Sequence, residues 1–128
     1  MSLDFKHLIK KIIRPRGQRS FIASIPKENC RILDIGCGKN SIFLKSVKPN
    51  STIYGVDIGL FEQTDESRFF YTKLIICESK NFAQSIQNID SDFDIVISNH
   101  NIEHCENPEK TFSAMVDKAK VGGSLFIT

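Results

Sequence analysis

Short apolar runs alternating with helical stretches predict an α/β fold, a parallel sheet covered by helices on both faces. Three observations carry this expectation. Runs rich in Ile, Val and Leu recur at 31–35, 52–57, 72–77, 93–98 and 124–128, and near-continuous apolarity is what a strand buried on both faces needs. The intervals between them are long enough for the crossover helices that parallel strands require. The first two runs carry an aspartate at or beside their carboxyl ends, Asp34 and Asp57, where ligands of such sheets bind.

In chain order, Phe5, Leu8, Ile9, Ile12 and Ile13 recur at helical spacing and predict an amphipathic first helix, stopped before Pro15 and Gly17. The strand Arg31–Ile35 runs into Gly36-Cys37-Gly38, and a helix over 40–47 is ended by Pro49-Asn50. A second strand spans 52–57, and a weaker helix over 62–70 leads to a third strand at 72–77. Helical spacing over 80–87 precedes the fourth strand, 93–98. Pro108 stands at a helix start, and that helix runs through Lys120 to a stop at Gly122-Gly123. The fifth strand is 124–128. Right-handed crossovers turn this order into a Rossmann-like, doubly wound sheet.

The chain has 128 residues, of which 41% are hydrophobic and 25% charged, the composition of one globular domain. No apolar run reaches the length of a membrane span and no signal peptide is legible, so a cytoplasmic protein is expected. The cysteines Cys30, Cys37, Cys77 and Cys105 form no C-x-x-C pair and read as reduced, mostly buried small side chains. Residues 1–20 hold Lys6, Lys10, Lys11, Arg14, Arg16 and Arg19 against Asp4 alone, within a net charge of +2. We therefore divide the chain into a basic amphipathic helix and linker, 1–27, and a core, 28–128. No aromatic stacking pattern accompanies the basic charges, so they read as a solvated face, not a nucleic-acid contact.

Gly36-x-Gly38 after a strand lets a ligand approach the backbone closely. A dinucleotide fingerprint needs a third glycine where Ser41 stands. Asp34 beside the turn would repel a phosphate and suits an ammonium group, while Asp57 can accept from both hydroxyls of a ribose. A ribose with an ammonium-bearing tail and no phosphate describes S-adenosylmethionine, and Asp34 and Ser41 argue against a nicotinamide dinucleotide.

Arg31-Ile32-Leu33-Asp34-Ile35-Gly36-Cys37-Gly38, Tyr54-Gly55-Val56-Asp57, Phe93 to Ser98, Glu103-His104 and Gly122-Gly123 together resemble the class I S-adenosylmethionine-dependent methyltransferases, nearest their small-molecule branch. The resemblance covers roughly 28–128. It implies that Asp34 and the backbone of Gly36, Cys37 and Gly38 hold the methionine end, and that Asp57, with Ile58 after it, holds the ribose. It places Glu78 near the adenine with Phe82 as a neighbour, and Asn99 with the following backbone at the wall near sulfur. Asn40 stands where many members carry a further glycine. The family's sheet continues past the fifth strand with a helix and an antiparallel pair, so the resemblance implies terminal antiparallel strands that this sequence lacks.

His100-Asn101-Ile102-Glu103-His104 has the H-x-x-E-H spacing of one class of zinc peptidase. Between a strand and the helix at Pro108 there is room only for a short turn, not for the helix such ligands need. We therefore expect no metal. In the methyltransferase reading His104 lies at the crevice mouth as a candidate general base, or else Glu103 and His104 tie the loop. The expected function is methyl transfer to a small-molecule acceptor. The alternative is a non-catalytic S-adenosylmethionine-binding or protein-interaction domain. No N-P-P-Y-like tetrapeptide follows the fourth strand, which argues against nucleic-acid amines as acceptors. If 124–128 forms a sheet edge, self-association as a homo-oligomer through that edge is expected.

Overall fold

A computed structural model describes residues 29–38, 50–59, 65, 68, 70–90, 92–99 and 101–128. The first helix and the helix expected over 40–47 lie outside these residues, as does most of the one expected over 62–70.

The five strands are β1 Arg31–Ile35, β2 Thr52–Asp57, β3 Lys73–Ile76, β4 Phe93–Ser98 and β5 Ala119–Ile127. They form one sheet in the order β3-β2-β1-β4-β5, with every neighbouring pair parallel. This is the expected doubly wound arrangement. The chain moves outward from β1 through β2 to β3, then returns to place β4 on the other side of β1. The order therefore reverses between β1 and β4, and a crevice opens beyond their carboxyl ends. Register keeps those ends level: Ile35 pairs with Val56 and Ser98, Asp57 with Ile76, and Ser98 with Ile127.

Alternation along the strands sends side chains to two buried faces. Ile32, Ile53, Ile95, Ile97 and Phe126 pack on one face with Cys30, Cys37 and Tyr71. Leu33, Ile35, Val56, Val96 and Ile127 pack on the other. That second face is covered by two helices, α1 Phe82–Gln87 and α2 Pro108–Lys118. Phe82 and Ile86 from α1 and Phe112, Ala114 and Met115 from α2 enter its core, and full burial of each large side chain contributes roughly 1.5–3 kcal/mol.

The start of α2 is built as its sequence predicts. Pro108 occupies the first turn, and the Asn107 side chain accepts from the Lys110 amide at 3.1 Å. Its last residue, Lys118, is buried and donates through Nζ to the Ile89 carbonyl at 2.6 Å, fastening α2 to the end of α1.

Boundaries differ from expectation at three places, the smallest being β3, one residue shorter at each end than expected. The segment after β3 begins with a 3-10 turn, Ser79–Asn81, before α1 starts. More substantially, the last helix ends at Lys118 and β5 begins at Ala119, five residues earlier than expected. Gly122-Gly123 does not stop the helix. It lies in a bulge of β5, where Phe93 pairs with Ala119 but Ile95 already pairs with Ser124. Lys120 in this bulge pairs with Asp94, whose other oxygen accepts from the Arg31 amide at 2.8 Å, locking the amino ends of β1, β4 and β5 together. No helix among the described residues is long and apolar enough to cross a membrane.

Candidate functional site

The turn after β1 closes over β2. The amides of Gly36 and Cys37 both donate to the Val56 carbonyl, at 2.8 and 3.3 Å, and Gly36 takes φ +69°, a left-handed conformation that favours glycine. Asp57, at the end of β2 and 7% exposed, reaches into this turn. Its Oδ2 accepts from the Gly38 amide at 2.6 Å and its Oδ1 from the Ile58 amide at 2.7 Å. Two main-chain donors fix the carboxylate, while each oxygen keeps a second lone pair for a ligand.

Asp34 lies beneath the turn at 2% exposure. The Tyr71 hydroxyl donates to its Oδ2 at 3.1 Å. Space for Tyr71 comes from Gly55, where a Cβ would stand 2.7 Å from the tyrosine ring and 3.1 Å from the Cys37 sulfur. Burial and then the Asp34 charge hold the Tyr71 hydroxyl far above its ordinary range, so it stays a donor. Burial first, then the Asp34 and Asp57 charges, push the Cys37 thiol from 9.0 up to about 12. The space around the glycine turn is therefore electronegative, a setting that favours a cation and resists a phosphate.

The other wall follows β4. Residues Ile102–His104 form a 3-10 turn closed by the His104 amide donating to the Asn101 carbonyl at 2.9 Å. Asn101 packs its side chain directly against Gly36, in the space a Cβ there would need. Its Nδ2 donates to Ser98 Oγ at 3.3 Å and to Cys105 Sγ at 3.7 Å. The loop is thus fastened by Asn101, Ser98 and Cys105. Glu103 and His104 lie 3.7 Å apart, with the His104 side chain 78% exposed.

A cavity of about 230 Å³ lies between these walls. Of the residues expected at the site, Gly36, Asp57, Ile58 and His104 line it, together with Phe82. Asp34 and Cys37 lie beneath it, and the Gly38 amide meets it through Asp57. The Glu78 side chain is 70% exposed and pairs with Lys80 at 3.1 Å, leaving the neighbouring Ser79 to line the cavity. Asn99 accepts from the Thr128 hydroxyl at 2.5 Å and so ties β4 to β5. Ser79, Asn101 and Cys105 complete the lining and Tyr71 supports it from below; Asn101 lies in the segment after Asn99 expected at the wall, while sequence reasoning assigned Ser79, Cys105 and Tyr71 no role in the site. Gly55 inside a strand was the available signal for Tyr71, since such a glycine marks a close approach. His100 lies outside the described residues.

A larger groove of about 510 Å³ runs between α1 and α2 and shares Ser79 and Phe82 with the cavity. Its lining contains neither the glycine turn nor a buried carboxylate, both of which belong to the smaller cavity.

A sequence model described as a methyltransferase domain matches residues 5–128. The ubiquinone biosynthesis O-methyltransferase of Shewanella halifaxensis is 29% identical over 101 residues, covering 77% of this chain and 42% of that protein. Its counterpart from Brucella ovis is 25% identical over 120 residues, covering 93% and 48%. The chain thus spans less than half the length of these curated relatives. Among solved structures, the MycE methyltransferase from the mycinamycin biosynthetic pathway, in complex with Mg and SAH, superposes with a TM-score of 0.59 at 28% identity, over 88% of this chain and 30% of that one. A TehB-like SAM-dependent methyltransferase from Corynebacterium glutamicum gives 0.60 at 17% identity over 97% and 67%, a likeness of fold.

Proposed function

The chain belongs to the methyltransferase domain family, and from that premise we propose that it binds S-adenosylmethionine in the crevice between β1 and β4 and serves methyl transfer to a small-molecule acceptor. The observation that carries the reading is the Asp57 carboxylate, buried, held by the Gly38 and Ile58 amides and lining the cavity. The residues present fit the cofactor. Asp57 offers paired acceptors for a ribose diol, and Gly36 presents bare backbone. Asp34 and Asp57 together make the turn hospitable to a cationic tail and hostile to pyrophosphate.

When bound, the cofactor supplies a methyl group on a positively charged sulfur. The chain's part is alignment and exclusion of water. Asp57 holds one end, the turn at Gly36 to Gly38 the other, and the Asn101–Cys105 segment closes the wall toward an acceptor. Glu78 and Ser79 stand at the adenine side of this proposal, and Asn99 supports the wall by tying β4 to β5. In this proposal His104, which lines the cavity, takes a proton from an acceptor hydroxyl. The curated relatives are named as O-methyltransferases of ubiquinone biosynthesis, which favours an oxygen acceptor on a small molecule.

Free thiols at all four cysteines fit a cytoplasmic location, and the sheet edge at β5 supports self-association. Titration calorimetry with S-adenosylhomocysteine tests the core of the reading. Saturable one-to-one binding that Asp57→Ala weakens is expected, and a folded chain with no affinity for it would refute the proposal.

A further inference from the structure

Asn101 stands out among the cavity residues because its amide is oriented. Nδ2 donates to Ser98 Oγ and to Cys105 Sγ, both within its own loop. Its Oδ1, with Cγ and Cβ, occupies the space where a Gly36 Cβ would be, so the carboxamide packs against the glycine turn. Among the described residues, no donor reaches that oxygen. A carboxamide has one acceptor oxygen and one donor nitrogen; here the loop takes the donor, and the acceptor lies against the turn in a residue that lines the cavity. Asp57 faces the same cavity from the β2 side, and burial first, then the Asp34 and Asp57 charges, keep the Cys37 thiol protonated. Acceptors therefore surround the turn from both walls, an arrangement complementary to a donor with positive charge.

We propose that Asn101 is a specificity-determining residue that reads the ammonium-bearing end of the ligand at the glycine turn through its carboxamide oxygen. The inference rests on the cofactor reading above and adds a residue and a criterion to it. A ligand with adenosine and sulfur but no amino-acid tail gains nothing from Asn101.

The test compares S-adenosylhomocysteine with 5′-methylthioadenosine, which keeps adenosine and sulfur but lacks the tail, by calorimetry on the whole chain. Asn101→Leu keeps the bulk and removes the acceptor, and Asn101→Asp keeps an acceptor oxygen. Asn101→Leu is expected to weaken S-adenosylhomocysteine by ~10-fold, the loss of one charge-assisted hydrogen bond, with methylthioadenosine unchanged within about twofold. Asn101→Asp should retain S-adenosylhomocysteine affinity within about threefold. Equal losses for both ligands in Asn101→Leu would reduce Asn101 to a loop fastener and overturn the inference, as would no loss for either. If thermal melting shows Asn101→Leu unfolded, Asn101→Ala makes the same comparison with the same two outcomes. A wild-type chain that binds neither ligand overturns the cofactor reading, and the inference with it.

Discussion

The Asp57 carboxylate and the Gly38 amide meet at 2.6 Å, so the end of β2 holds the turn that follows β1. The same carboxylate takes the Ile58 amide, and the two main-chain bonds set its orientation before any ligand arrives. Preorganisation of this kind lowers the ordering cost of binding.

Replacing Asp57 by Ala removes the proposed ribose acceptor and leaves two main-chain donors without their partner. S-adenosylhomocysteine affinity is expected to fall by ~1–3 kcal/mol, with a smaller loss of stability because the freed amides can reach water. Asp57→Asn keeps one acceptor oxygen and should retain part of the affinity. Calorimetry and thermal melting separate the two effects, and unchanged affinity in a folded Asp57→Ala chain would remove Asp57 from the site.

Gly55→Ala probes the layer beneath. The added Cβ would stand 2.7 Å from the Tyr71 ring, so the ring has to move and its bond to Asp34 breaks. Overpacking of this sort costs about 1–3 kcal/mol. Tyr71→Phe removes only the hydroxyl and should cost about 1 kcal/mol. Denaturant melts would contradict the packing argument if Gly55→Ala proved as stable as the parent.

These two layers differ in how openly the sequence displays them. Asp57 was legible because a carboxylate at a strand's carboxyl end keeps its meaning wherever the strand sits in the sheet. Tyr71 was not, since its partner Asp34 is 37 residues away and no local pattern encodes the pairing. At the β4 loop the sequence pointed to Asn99 with the backbone after it and to His104, yet a 3-10 turn brings the Asn101 side chain onto Gly36 and leaves Asn99 holding Thr128. Strand periodicity ends with the strand, and it does not say which way a following turn aims its side chains. Gly122-Gly123 misled for a related reason: a glycine pair after a helical pattern resembles a helix stop, but here it serves a bulge whose need arises from Asp94 and Phe93 on the neighbouring strand.

Alkaline pH should act through the buried thiols. Cys37 is raised from 9.0 to about 12 and Cys30 to about 11, both chiefly by burial. An unfolded chain therefore loses these protons first, and the stability they contribute is present below about pH 9 and lost as pH rises toward the folded values. Melting temperature should decline above that point, and Cys37→Ala should flatten the decline. Alkylation near neutral pH should spare Cys37 in the folded chain. Rapid labelling of Cys37, read by mass spectrometry, would contradict its burial.

His104→Ala should leave cofactor affinity within about threefold, because the side chain is 78% exposed and pairs only with Glu103 among the described residues. If it takes a proton from the acceptor, turnover of any hydroxylated acceptor the chain methylates should drop ~10²-fold or more. The loss should shrink as pH rises and the acceptor ionises by itself. Undiminished turnover would dismiss His104 as the base.

Among the described residues β5 is the last strand in the sheet order, and its hydrogen bonds to β4 set which of its groups face outward. The Thr128 amide donates to Ser98 on β4, and a strand alternates with period two, so the amides of Phe126 and Ser124 also face β4. Those of Leu125 and Ile127 then point away from β4 and, among the described residues, meet no other strand. Phe126 and Ile127 are buried while Leu125 is only half-buried, so the side chains anchor the strand and its backbone offers the edge. The 128-residue chain is therefore expected to self-associate along 124–128. Leu125→Pro removes an outward donor without breaking the ladder to β4, a position where an edge strand tolerates proline. The variant should sediment as a monomer at concentrations where the parent does not, with only a modest loss of melting temperature. A parent chain that stays monomeric across a dilution series and melts cooperatively would show that this edge does not pair.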